Sequence, residues 1–143
     1  MTSRDLRNTL LSAVAADLLP FGFVLNRALA EFTQRPPDGW NKFQLVFLWR
    51  NPQWEIKVGL LIRFHLVEQI YHQASFYEPR YHRTTPTIGI PLEKLLLKGQ
   101  ALSGTLGTDT DISPCQKWIM QCFTYQALPF FPATTRFLPW NKR

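Results

Sequence analysis

Lys57, Arg63 and His65 stand at odd positions of one alternating stretch, and Arg80, His82 and Arg83 follow downstream, so the groups best equipped for chemistry are cationic. Converging guanidinium and imidazole groups bind anions. Tyr81 among them, with Tyr71, Phe76 and Tyr77 nearby, offers rings that could stack on bases or on a nucleotide. Lys57, Arg63, His65, Arg80, Tyr81, His82 and Arg83 therefore form the candidate anion or ligand patch. The competing arrangement is a solvated basic face with tyrosines packed beneath a loop, which is the commoner fate of such residues.

Other chemistries find less support. His65, His72 and His82 raise zinc, because Glu68 and His72 share a helical face at i, i+4 spacing. Zinc ligands usually include a tighter pair, and no cysteine lies near, so no metal is assigned. Asp109-Thr110-Asp111 begins like a calcium loop but runs into Ile112-Ser113-Pro114, without the glycine and late glutamate that such a loop needs. Glu55, Glu68, Glu78 and Glu93 are isolated, whereas acid–base catalysis needs a perturbed group, often beside a second titrating one. No Gly-x-Ser-x-Gly, P-loop lysine or dinucleotide glycine pattern occurs, and Gly104-Thr105-Leu106-Gly107 lacks their strand-to-helix setting. No catalytic residue and no cofactor are assigned, and the chain reads as a non-enzyme.

The elements that must position these groups are more legible. Ile56, Val58, Leu60, Ile62 and Phe64 recur at every second position, the pattern of a strand with one buried face. Trp40 to Trp49 is the strand before it, with Phe43, Leu45 and Phe47 on one face. Apolar Val46 and Leu48 on the other predict an interior strand covered on both sides. Asn51-Pro52 joins the two as a hairpin. Upstream, Leu6, Leu10, Val14 and Leu18 stripe a helix from Thr2 to Leu19, with Thr2 and Asp5 at capping-box spacing. A weaker strand spans Val24 to Gln34, before Pro36-Pro37-Asp38-Gly39 turns the chain. Downstream, Leu66 to Ala74 reads as a short helix burying Leu66, Val67, Ile70, Tyr71 and Ala74, with Glu68, Gln69, His72 and Gln73 outward. Phe76 to Arg83 reads as a loop, Thr84 to Ile90 as an edge strand, and Pro91 to Leu96 as a short helix. Gln100 to Asp111 is Gly- and Thr-rich and reads as surface loop. Ser113-Pro114 with Gln116 caps a last helix through Trp118, Ile119, Cys122, Phe123 and Gln126.

These pieces make one α+β domain over residues 1–143, an antiparallel sheet of about four strands with helices on one face. The 143 residues, 45% hydrophobic, suit a single core. Net charge is +6 without a run of like charges, so an anionic partner is favoured but a nucleic-acid tail is absent. Cys115 and Cys122 lie about 10 Å apart along one helix, too far for a bridge, which implies free thiols and a reducing, cytoplasmic setting. No apolar stretch reaches the roughly 18 residues of a membrane span. The tail from Pro129 is the exception to good burial. Phe130, Phe131, Phe137, Leu138 and Trp140 form the candidate protein interface, because so short a segment with its prolines cannot bury them all.

The chain resembles the bacterial domains of unknown function grouped as number 4304. The likeness lies in Leu18-Leu19-Pro20-Phe21-Gly22-Phe23 after the opening helix, Asp38-Gly39-Trp40, Phe43-Gln44-Leu45, the Gly59-to-Phe64 strand, Thr85-Pro86-Thr87-Ile88-Gly89 and Ala127-Leu128-Pro129-Phe130-Phe131. The resemblance implies helices covering one face of an antiparallel sheet and carries no activity or ligand residue with it. It also implies a further helix beyond Arg143. The functional expectation is a binding or protein-interaction domain, by analogy of size and style immunity- or defence-associated, with a protein partner or self-association. The alternative is nucleic-acid or nucleotide binding through the basic, aromatic patch.

Overall fold

A computed structural model of the chain describes residues 1–72, 86–96 and 99–132, with 70–72 in backbone alone. The architecture is α+β, with helices against one face of an antiparallel sheet of six strands. Helix α1 (Ser3–Leu18) opens on the expected capping box: the Asp5 N–H donates to the Thr2 hydroxyl and the Thr2 N–H to the Asp5 carboxylate. The Thr2 N–H bond to the carboxylate is the main cause that holds the Asp5 carboxyl below its ordinary value. A 3-10 turn at Leu19–Phe21 ends on Gly22 at φ +83°, a conformation that favours glycine.

The segment expected as one strand from Val24 to Gln34 is two, β1 (Val24–Asn26) and β2 (Glu31–Gln34). The Asn26 side chain accepts the Leu29 N–H, and Ala30 sits at φ +53°, so a tight turn replaces the middle of the strand. Strands β3 (Gly39–Arg50) and β4 (Gln53–Phe64) form the expected hairpin, paired from Gly39 with Phe64 to Arg50 with Gln53. Helix α2 (His65–His72) follows directly. The edge beyond β4 is shared by β5 (Ile88–Pro91) and β6 (Gly104–Leu106), and the order is β1-β2-β3-β4-β5 with β6 also on β4.

Strand β6 corrects the reading of Gln100 to Asp111 as surface loop. Leu106 is fully buried, and a Cβ on Gly104 would lie 3.0 Å from the Trp118 ring, so the glycine there serves close packing. The last helix also starts earlier than its Ser113-Pro114 signal. A capping box of Thr108 and Asp111 closes a 3-10 turn, and α3 (Ile112–Cys122) runs on from it. The chain continues through a π-helical turn at Phe123–Ala127 into α4 (Leu128–Phe130).

Phe32, Phe43 and Leu60 lie side by side across β2, β3 and β4, and with Leu45, Ile56 and Val58 they meet Leu6, Leu10 and Val14 of α1 and Ile119 of α3 in one core. The Phe123 ring is its hub, edge-on to Phe21, Phe23 and Phe43 at 5.1, 5.3 and 5.3 Å. Burying such a ring contributes roughly 1.5–3 kcal/mol. Two polar ties fix the helices: Trp54 Nε1 donates to the Ser3 carbonyl at 2.9 Å, and Gln116 Nε2 to Asp17 Oδ2 at 2.7 Å. The second face of β3 departs from expectation. Val46 remains 36% exposed, so the strand is interior to the sheet without cover on both sides there.

Candidate functional site

Register assembles the second face from residues of opposite parity to the core. Trp40 pairs with Arg63, and the next rows across the sheet are Val24, Thr33, Lys42, Leu61, Gly89 and then Asn26, Glu31, Gln44, Gly59. A solvated polar face would leave such charges loose; here they are fixed. Lys42 Nζ lies 3.2 Å from Glu31 Oε1 and 4.5 Å from the centre of the Trp40 ring, with little of either charged side chain exposed. The ring face stabilises the ammonium, and Gln44 Nε2 reaches the second Glu31 oxygen at 3.5 Å.

Arg63 was expected on an exposed polar face, but it is 5% exposed and its Nε donates to His65 Nδ1 at 2.9 Å. A guanidinium can only donate, so Nδ1 is the acceptor and the ring proton sits on Nε2. Glu68 is the larger surprise. The helical pattern turns it outward, yet it is 6% exposed and accepts the Thr87 hydroxyl at 2.9 Å, while Leu66 is 69% and Val67 47% exposed. The reason is that α2 begins at once after β4. The Phe64 N–H donates to Thr87 Oγ1 at 3.0 Å, which sets the hydroxyl where the first helical turn must present Glu68.

Of the patch residues, Arg63 and His65 are brought together. Lys57 shares their face but lies about 20 Å away along the strand at 3.3–3.4 Å per residue, opposite Glu93 at 3.9 Å. Arg80, Tyr81, His82 and Arg83 fall outside the described residues, as does the expected loop that carries them. In the candidate interface, Phe131 belongs to the core, 1% exposed with its ring 5.5 Å from Phe23, and Phe130 packs partly buried against the same core. The short α4 turns them inward. Phe137, Leu138 and Trp140 lie outside the described residues.

Among the described residues no three His, Cys, Asp or Glu side chains gather as a metal set. Asp111 works as a cap: its carboxylate accepts the N–H groups of Gly107 and Thr108 at 2.8 and 3.0 Å, which hold its carboxyl below the usual value. Cys115 and Cys122 are buried free thiols, pushed up to about 12 by desolvation, and so disabled as nucleophiles near neutral pH. Among the described residues no helix is long and apolar enough to cross a membrane.

Glu31, Lys42, Trp40 and Thr87 escaped sequence reasoning. The signal available for three of them was parity: Trp40 and Lys42 alternate with Phe43, and Glu31 interrupts a strand segment where a charge needs a partner. No protein-family model, curated protein or solved structure matches the chain.

Proposed function

We propose that this chain is a non-enzymatic protein-binding module whose partner, an acidic protein, seats on the outward face of α2. The observation that supports it is the first turn of α2, with Leu66 and Val67 at 69% and 47% exposure beside a buried Glu68. Leaving a leucine in water forgoes roughly 1.5–3 kcal/mol of burial, and adjacent exposed apolar side chains are what an interface centre is made of. Net charge of +6 favours an acidic surface and disfavours a second copy of the same chain. An immunity-type role, with a toxin as the partner, is the concrete form of this reading and draws on analogy of the domain's size and style alone.

The polynucleotide alternative is weakened at one of its contacts, because Arg63 is buried and engaged with His65 rather than open to phosphate. Affinity capture from the native host, with and without nuclease, tests both readings. The expected result is a protein captured in either condition by the wild type and lost with the Leu66→Lys, Val67→Lys double variant. Retention by that variant, or capture abolished by nuclease, overturns the proposal.

A further inference from the structure

A groove of about 390 Å³ lies over the second sheet face at the β1–β2–β3 end, lined among others by Val24, Asn26, Glu31, Thr33, Arg35 and Lys42. That volume falls within the range of small-molecule sites; Glu31, Thr33 and Lys42 reach it from strands, and Arg35 from the residue just after β2. From these residues we infer that the groove binds a small organic monocarboxylate, a site separate from the α2 surface and independent of the partner reading.

Charge decides the class. Glu31 is matched by Lys42 at 3.2 Å, whereas Arg35 is exposed and makes no hydrogen bond or ion pair among the described residues. Two cations against one carboxylate leave one positive charge for a ligand. A guanidinium's planar fork matches a carboxylate in two parallel hydrogen bonds. A doubly charged phosphate fits less well, because it would face the 7% exposed Glu31 carboxylate across the same groove. The remaining lining sets the body of the ligand. Asn26 uses its oxygen on the Leu29 N–H and so keeps its amide N–H groups to donate. Thr33 supplies a hydroxyl, and Val24, 62% exposed, supplies apolar wall. An acid carrying an amide and an aliphatic group uses all of these.

The test is titration of the full chain, followed by backbone amide NMR shifts, with N-acetyl-leucine, its uncharged amide and inorganic phosphate as probes. The acid is expected to shift the Asn26, Thr33 and Lys42 amides at millimolar concentration or below, more strongly than phosphate, with the uncharged amide inert. Arg35→Gln, at an exposed position, should weaken the acid roughly tenfold, Arg35→Lys should restore part of it, and Arg50→Gln at the hairpin tip should leave it unchanged. Equal binding of acid and amide, indifference to Arg35→Gln, or no shift at these residues at millimolar acid overturns the inference. A failed capture experiment with intact N-acetyl-leucine binding would sink the partner reading alone.

Discussion

Gly39→Ala probes the register that brings Trp40, Arg63 and His65 onto one face. Gly39 pairs with Phe64, and a methyl there would lie 1.6 Å from the Arg63 carbonyl oxygen, where ordinary contact begins at 3.4 Å. The strands must part by roughly 1.8 Å (3.4 − 1.6), against a normal spacing of about 4.7–4.9 Å. The ladder end cannot survive that. The His65 N–H to Asp38 carbonyl bond at 2.8 Å is lost with its neighbour, and Trp40 and Arg63, 2% and 5% exposed, are loosened. Two bonds at about 1 kcal/mol each and partial exposure of the indole at about 1–2 kcal/mol give about 3–4 kcal/mol. Gly99→Ala is the contrast. At φ +90° with none of the described residues within 4 Å of the added methyl, it meets backbone strain, about 1–2 kcal/mol. Urea midpoints at constant m, with amide exchange at His65, read both variants. A Gly39→Ala cost below about 1 kcal/mol, or one no larger than that of Gly99→Ala, would refute the register argument.

Three further outcomes follow from the same geometry. Cys115 and Cys122, pushed up to about 12, should stay silent to Ellman's reagent in the native protein at mildly alkaline pH and both react after denaturation; prompt native labelling would contradict their burial. Asp111 has a folded-state carboxyl below its unfolded value, so its stabilisation is present above the unfolded value and lost as pH falls through the folded one. The gap in urea midpoint between wild type and Asp111→Asn should therefore be open near pH ~7 and close toward pH ~2. Glu68→Ala should cost about 1–3 kcal/mol by stranding the Thr87 hydroxyl, whereas Leu66→Lys should stay within about 0.5 kcal/mol, both by thermal melting.

Periodicity carried the fold where elements were long. The period-two run from Ile56 to Phe64 and the four-residue stripe from Leu6 to Leu18 read correctly, because each buries one face against one layer. Three-residue strands hold too little pattern to be read that way. At β1 and β6 the decisive features were the turn bond from Asn26 and the fit of Gly104 against Trp118, which are tertiary facts. The same limit hid the site. Arg63 and His65 share parity by counting, but the burial of Arg63 and its hydrogen bond to His65, where β4 passes into α2, are tertiary facts. Glu68 departs from the helical pattern because the first turn of α2, tied at Phe64 and Thr87, takes its facing from those contacts and not from Leu66 and Val67.

The facing of α2 carries the interaction reading, and single-cysteine accessibility measures it directly in a chain whose native thiols are buried. Leu66→Cys, Val67→Cys and Glu68→Cys, each confirmed as folded by circular dichroism, would be timed against Ellman's reagent. Positions 66 and 67 should label near the rate of a free thiol, with position 68 at least roughly tenfold slower. Equal rates at 66 and 68, or a protected 66 beside a reactive 68, would contradict it.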